Sequence, residues 1–464
     1  MPWRTEDLLK ATEGSLAFEG PNTTHASIST DTRTIEKNSI FVALKGPNHD
    51  AHHFLLEAAS AGASCLVATH NGMKGLDLTP IKKSGATLVL VDDTLKALGQ
   101  LARYHLKRCS ARVVAITGSN GKTTTRSLTQ AVLEMGHKVH ATCGNFNNEV
   151  GLPLTLFRLT NKETYSVLEL GMSAPGEISR LGAICRPHVA VITCIGESHL
   201  EGLGDLKGVA MAKGELLDTL SSDGRIILNA DDPRLQKLAK QKGVSPIWYG
   251  LSCEADVRAR DISWDGSFQH FTLCAQGRET KVRLPLAGRF MVSNALAAAA
   301  VGLEAGLPLE EIAKGLETGG TESGRLTIKE NQSGLHIIDD TYNANPLSMG
   351  AALETLKELK GNHRSIAALG DMLELGEEAS RYHQELGQKA ARSGLWRLYV
   401  TGIFSRDVEK GALEAGMAPS SIFTGDKDAL AQRIATETAS GDWVLVKGSR
   451  SVKMEQVVSH LLSR

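Results

Sequence analysis

Short apolar runs alternate with amphipathic stretches along most of the chain, the pattern of strands each followed by a helix in an α/β protein. Over residues 1–92 the pattern predicts short strands and helical patches, among them a strand over 39–44 and an apolar helix over 53–61. A helix over 94–107 leads into the β-branched run Val113, Val114, Ala115 and Ile116, which predicts a buried parallel strand. A helix over 122–135 follows it. Further strands are predicted over 165–170, 189–195 and 225–229, with helices over 152–159 and 206–220. Between 255 and 284 the period shortens to alternating strands with polar turns, a small antiparallel region, before an alanine-rich helix over 291–302. Thr318-Gly319-Gly320-Thr321-Glu322-Ser323-Gly324 is the clearest linker in the chain. Beyond it the α/β alternation resumes, with strands over 335–338, 365–369, 397–401 and 443–446 and a helix over 346–359. The breaks predict three units, 1–92, 93–321 and 322–464, the last a second doubly wound domain without a phosphate loop of its own.

Composition narrows the class without changing this picture. A chain of 464 residues with 42% hydrophobic and 22% charged residues has room for several cores. The formal net charge of −1 and only 10 Phe and 6 Tyr argue against a nucleic-acid partner. No apolar run approaches the ~20 residues of a membrane span, so membrane insertion is not expected. MPWRTEDLLK lacks the apolar centre of a signal peptide, which makes the cytoplasm the expected compartment. The seven cysteines (Cys65, Cys109, Cys143, Cys185, Cys194, Cys253, Cys274) are scattered and never spaced Cys-x-x-Cys. That speaks against a disulfide framework or structural zinc, and most are expected to be small buried apolar residues.

The sharpest chemical signal follows the strand at 113–116. Gly118-Ser119-Asn120-Gly121 is a tight turn, and Lys122-Thr123-Thr124-Thr125 opens a helix. Strand, glycine-rich loop and helix N-terminus form a phosphate cradle, with free N–H groups and the positive end of the helix dipole facing an anion. Lys122 is placed to reach terminal phosphates and the Thr123 hydroxyl to sit on Mg²⁺. Gly118 is separated from Gly121 by two residues, shorter than the usual spacing. Glu169, at the end of the strand over 165–170, is where a Mg²⁺ ligand is expected. His199 stands at the same carboxyl edge, and its company with Glu169 and Lys122 favours a functional role. Lys213, among small residues of a helix, reads from spacing alone as a solvated surface charge. Arg33 and Lys45, on polar loops flanking a strand, can meet a diphosphate or simply be solvated. His49, His52 and His53 read as solvent-facing rather than metal-binding.

Together these motifs resemble the Mur ligases of peptidoglycan synthesis, and the likeness spans essentially the whole chain. It is carried by TGSNGKTTT at 117–125, GNFNNEVGLP at 144–153, LELG at 168–171 and SHLEGLGDLKGVAMAKGEL at 198–216. DDTYNANPLSM at 339–349, LGDMLELGEE at 369–378 and VKGSRSVKME at 446–455 point within the family to the member that joins D-alanyl-D-alanine to UDP-N-acetylmuramoyl-tripeptide. The phosphate loop alone would not separate Mur ligases from folylpolyglutamate synthases. The tyrosine-asparagine loop does.

The resemblance implies an N-terminal UDP-substrate-binding α/β domain, a central P-loop ATPase with a parallel sheet and a C-terminal Rossmann-like domain for the incoming amine. It implies that Gly118, Ser119, Asn120, Gly121, Lys122, Thr123 and Thr124 bind the ATP phosphates. Thr123 and Glu169 would hold one Mg²⁺, and His199 a second together with a carbamylated Lys213, which overturns the surface reading of that lysine. Asn294 would contact adenine, Arg325 the γ-phosphate, and Asp339 or Asp340 the ribose. Asp31, Thr32, Arg33, Lys45 and Asn48 match the uridine-diphosphate loops, and Asn147 and Asn148 the muramoyl-peptide contacts. Tyr342, Asn343, Asn345, Ser449 and Arg450 complete the substrate set. Lys122, Glu169, His199, Lys213 and Arg325 are the implied catalytic residues. Two departures stand out: Phe290-Met291 replaces a His-Asn pair of many relatives, and Asp50-Ala51-His52 replaces Asp-Gly-His. A monomer that closes about Gly319, Gly320 and Gly324 is expected. The rival readings are a Mur ligase that adds diaminopimelate or lysine, and an ATP-driven switch protein built on the same P-loop core.

Overall fold

The computed structural model describes residues 1–252, 254–320 and 322–463, so Cys253, Thr321 and Arg464, and with them the predicted boundary at 321, lie outside the described residues. Three sheets carry the architecture, of five, nine and six strands, beside a two-stranded ribbon. The first sheet runs Ser15–Phe18, Thr87–Val91, Ala63–Thr69, Ser39–Val42, Ile28–Ser29, antiparallel only at its first pair. Helix Thr94–Lys107 leaves it, started by Asp93, whose carboxylate accepts from the N–H groups of Leu95 and Lys96.

In the nine-stranded sheet Arg112–Thr117 lies between Tyr165–Glu169 and Val189–Ile192, parallel to both. Val113 to Ile116 are essentially inaccessible to solvent, as a strand covered on both faces requires. Chain order reverses at this strand, which makes its carboxyl end the topological switch point where α/β sheets place their ligands. The predicted antiparallel region is Val257–Trp264, Gln269–Ala275 and Arg278–Leu284. It is not a separate unit, because Val257–Trp264 pairs in parallel with Ile247–Gly250 and so extends the sheet. Helix Arg289–Glu304 is buried all round from Ala295 to Val301, wedged between the sheet and helix Lys122–Glu134.

The six-stranded sheet runs Thr327–Glu330, His336–Asp340, Trp443–Lys447, Ser365–Leu369, Arg397–Val400, Ile422–Thr424, with only the first pair antiparallel. Trp443–Lys447, the last strand in sequence, occupies a central position. No helix among the described residues is long and apolar enough to cross a membrane.

Two buried histidines shape the first unit. His52 is not solvent-facing as its sequence context suggested: it is 3% exposed, and its Nε2 accepts from the Thr69 N–H at 3.0 Å. Its Nδ1–H is therefore the donor to Asp50 Oδ1 at 2.6 Å, tying the loop over 45–50 to a strand end. His25 is fully buried between the hydroxyls of Ser64 (2.7 Å) and Thr5 (3.3 Å), and burial pushes its pKa down from 6.5 to about 4. The unfolded chain then binds the proton more readily than the folded one. Stability from this group is complete above pH ~6.5 and is lost as pH falls towards about 4, by at most about 3 kcal/mol. Denaturant unfolding at pH 7.5 and pH 5 should therefore show a smaller pH slope for His25→Gln than for the parent chain; equal slopes would refute the assignment.

Candidate functional site

The strand Arg112–Thr117 stops at a loop that only glycine permits at two points. Gly118 and Gly121 have φ of +149° and +80°. A Cβ on Gly118 would lie 1.8 Å from Thr193 Oγ1, and one on Gly121 2.3 Å from Asn294 Oδ1. Close neighbours hold the loop in place. Ser119 Oγ donates to the Gly196 carbonyl and accepts from the Gly196 N–H, both at 2.9 Å. Thr193 Oγ1 donates to the Asn120 carbonyl at 2.5 Å. The loop is thus stitched to the chain leaving Val189–Ile192, so its N–H groups are preorganised where helix Lys122–Glu134 begins. Lys122 Nζ donates to the Gly118 carbonyl at 2.8 Å. Burial lowers the Lys122 pKa, opposed by the carboxylate of Glu169 and reinforced by Arg325.

Glu169 ends the neighbouring strand and is 3% exposed. Its Oε1 accepts from Asn147 Nδ2 at 2.8 Å, while its buried Oε2 has no partner. His199 adopts a left-handed conformation (φ +54°), and its Nδ1 lies 2.5 Å from Glu374 Oε2 across the cleft. Lys213 is 1% exposed and forms no hydrogen bond or ion pair with the described residues. Desolvation drives its pKa well down, with Lys122 adding to the effect. The surface reading of this lysine fails because the face of helix Leu206–Gly214 that carries it turns into the core.

The opposite wall comes from strand ends of the six-stranded sheet. The Arg325 guanidinium sits 4.0 Å over the Tyr342 ring, a cation–π contact. Asp340 Oδ2 pairs with the buried Lys447 at 2.6 Å, and its Oδ1 accepts from the Leu326 N–H. Lys447 Nζ also donates to the Asn343 carbonyl at 2.8 Å. Ser449 Oγ accepts from the Leu373 N–H, and Arg450 is exposed nearby. Together the two walls bound a cleft of about 980 Å³. Carboxyl ends of strands face it from both sheets, and cations of the two sides (Lys122, Arg325, Arg450) converge on it, the arrangement of a polyanion site.

Comparison with known proteins agrees with this geometry. The Mur ligase middle domain matches residues 116–302, and the Mur ligase glutamate ligase domain matches residues 324–450. The UDP-N-acetylmuramoyl-tripeptide–D-alanyl-D-alanine ligase of Bacillus subtilis is 37% identical over 98% of this chain and 97% of its own length. The enzyme of the same name from Escherichia coli is 36% identical over 96% and 95%.

The chain belongs to the Mur ligase family.

Among solved structures, MurF from Acinetobacter baumannii superposes with a TM-score of 0.91 at 32% identity, covering 100% of this chain and 99% of that one. MurF ligase from Thermotoga maritima, solved in complex with ADP, gives 0.84 at 28% identity over 94% and 97%.

The Mur ligase cleft gathers most of the residues named from sequence: Ser119 to Thr124, Asn147, Asn148, Glu169, His199 and Asn294 on one side, and Arg325, Asp340, Tyr342, Asn343, Asn345, Ser449 and Arg450 on the other. Asn294 lies against Gly121, with Phe290, Met291 and Ser293 of the same helix also lining the cleft. Asn148 spends its carboxamide oxygen on the N–H groups of Val150 and Gly151, starting helix Gly151–Leu156. Asp339 is not brought to the cleft; its carboxylate is committed to Lys329 and the Thr341 hydroxyl, both at 2.7 Å. Asp31, Thr32, Arg33, Lys45 and Asn48 lie on loops of the first sheet and do not line the cleft. Asp31 and Arg33 pair with each other at 2.6 Å and lower and raise one another's pKa respectively.

Two cleft residues escaped the sequence reading. Glu374 sits inside the quoted LGDMLELGEE segment, but only its approach to His199 singles it out. Lys447 ends a β-run like any strand-terminal lysine, and its burial against Asp340 becomes visible only in the fold.

Proposed function

We propose that this chain is the ATP-dependent ligase that joins D-alanyl-D-alanine to UDP-N-acetylmuramoyl-tripeptide, giving the UDP-muramoyl-pentapeptide with ADP and phosphate. The observation that carries the reading is a single cleft with a phosphate loop on one wall and the tyrosine-asparagine loop on the other. Full-length likeness to relatives of that name supports it. We divide the chain into a UDP-substrate domain over 1–92, an ATPase domain over 93–321 and an amine-binding domain over 322–464. The reaction is assigned to the cytoplasm, where ATP and the nucleotide-linked substrate are found, and the enzyme to a monomeric state.

In the assigned chemistry the terminal carboxylate of the tripeptide attacks the γ-phosphorus, the bond to the β-phosphate oxygen breaks, and ADP leaves. The amine of the dipeptide then adds to the acyl carbon, gives up a proton, and phosphate departs as the peptide bond forms. The first step drives an anion onto a polyanion, so charge neutralisation and alignment dominate its barrier. Lys122 and the loop N–H groups bind the β- and γ-phosphates, and Arg325 draws charge from the γ-phosphate. Asn294, with Phe290 and Met291, borders the adenine, and Asp340 the ribose. Asn147 and Asn148 flank the muramoyl-peptide, Asp31, Thr32, Arg33, Lys45 and Asn48 take the uridine diphosphate, and Tyr342, Asn343, Ser449 and Arg450 face the dipeptide.

The unpartnered buried oxygen of Glu169 fits a cation ligand, as does the Thr123 hydroxyl at the helix start. Among the described residues no three His, Cys, Asp or Glu side chains converge as a ready-made metal site. Mg²⁺ bound by Glu169 and Thr123 would therefore share its coordination with phosphate oxygens, the usual habit of this ion, and supply electrostatic neutralisation there. His199 and Lys213 are assigned to a second cation. Burial with no partner among the described residues lowers the Lys213 pKa and so favours the neutral amine, the form able to add to CO₂ and release a proton, leaving a carbamate.

The test is phosphate release with UDP-N-acetylmuramoyl-tripeptide and D-alanyl-D-alanine supplied separately and together. Sustained release should require both. Release independent of either one would refute the ligase reading, and turnover with diaminopimelate or lysine in place of the dipeptide would reassign it to an amino-acid-adding relative.

A further inference from the structure

The tip of the phosphate loop is bonded directly to the opposite wall of the cleft. Asn120 Nδ2 donates to Asn345 Oδ1 at 3.1 Å, and Asn345 Nδ2 donates to Asn120 Oδ1 at 2.8 Å, a reciprocal amide pair. The two residues are 225 positions apart and belong to different sheets' loops. Neither amide can turn over without loss. Asn345 caps helix Pro346–Leu359: its Oδ1 accepts from the Ser348 N–H at 2.8 Å while Ser348 Oγ accepts from its own N–H at 3.0 Å. That fixes which end of the carboxamide is oxygen, and Asn120 must present the complement. The Asn120 backbone is held in turn by Thr193. The same helix start also approaches the central side through Leu347, which lies against Gly196.

Both ends of the Asn345 carboxamide are thus engaged before any ligand arrives. Just upstream, Tyr342 lies under Arg325 and the Asn343 carbonyl holds Lys447. Moving Asn345 would move all of these. We infer that Asn120 and Asn345 are positioning residues that register the amine-binding loop over 341–345 on the phosphate loop, so that the acceptor amine meets the acyl carbon where the γ-phosphate has been transferred. The inference rests on the ligase reading above and deepens it by giving one member of the predicted substrate set a role that involves no substrate contact.

The test is a double-mutant cycle with Asn120→Ala and Asn345→Ser. Serine keeps a helix cap at 345 but is too short to reach Asn120. Each single variant should raise KM for D-alanyl-D-alanine by roughly fivefold to tenfold, the effect of two exchanged hydrogen bonds, a larger change than in kcat or ADP affinity. The double variant should be no worse than either single one, because the pair is lost only once. Independently of activity, backbone hydrogen exchange over 341–345 should quicken in Asn120→Ala, although the substitution lies on the other wall. Multiplying KM effects, an unchanged KM, or a fall in ADP affinity matching the rise in KM would overturn the inference. Absence of any dipeptide-dependent phosphate release by the parent chain would instead refute the ligase reading.

Discussion

Lys122→Ala is expected to lower turnover by at least about 10²–10³-fold, the effect of removing one preorganised charge from a transition state. The fold should survive. The ammonium makes one hydrogen bond, to the Gly118 carbonyl of its own loop, and desolvation already lowers its pKa. Removing a cation that the fold holds at a desolvation cost sacrifices little stability, while the proposed phosphate site loses one of its cations. Steady-state phosphate release with both substrates, alongside denaturant unfolding, separates the two effects. A rate within tenfold of the parent, or loss of the cooperative unfolding transition, would refute this account.

Lys213→Ala carries the second large effect and a more unusual signature. A buried lysine with no hydrogen bond or ion pair among the described residues is costly to keep charged, and desolvation drives its pKa well down. Alanine in its place leaves a cavity, whereas methionine fills the space with no amine to desolvate. Lys213→Met should therefore unfold at a temperature no lower than the parent. Both variants should lose most activity, by about 10²-fold or more. If the amine works as a carbamate, a short carboxylic acid added to Lys213→Ala should partly restore turnover by supplying the missing carboxylate. Failure of such rescue would leave the lysine without a carbamate role, and a strong loss of stability in Lys213→Met would assign it to the core.

The opposite behaviour of these two lysines shows what sequence can convey. Lys122 follows a β-branched strand and a glycine turn, and those local rules place it at a helix start beside an anion site. Its neighbours in sequence are its neighbours in space. Lys213 lies in a helix of small residues whose buried face depends on which elements pack over it, so spacing alone suggested a solvated charge and only the family resemblance suggested otherwise. His52 failed in the same way: polar neighbours in sequence suggested exposure, while the fold closed a strand end over it.

Local pattern determined the elements themselves, because strands, caps and turns obey rules that act over a few residues. The helices Thr94–Lys107 and Pro346–Leu359 and the strands Arg225–Asn229 and Ser365–Leu369 lie where periodicity and caps place them. The glycine loop and the carboxylate at the end of Tyr165–Glu169 were legible for the same reason. Tertiary structure decided the rest: the insertion of Trp443–Lys447 into the middle of its sheet, the fusion of 257–284 onto the central one, the Lys447–Asp340 and His199–Glu374 pairs, and the bond between Asn120 and Asn345. Each of these joins groups far apart in sequence, and their meeting is set by how whole layers pack. The cleft is therefore written in the chain as two separate walls, and only the docking of the sheets makes them one site.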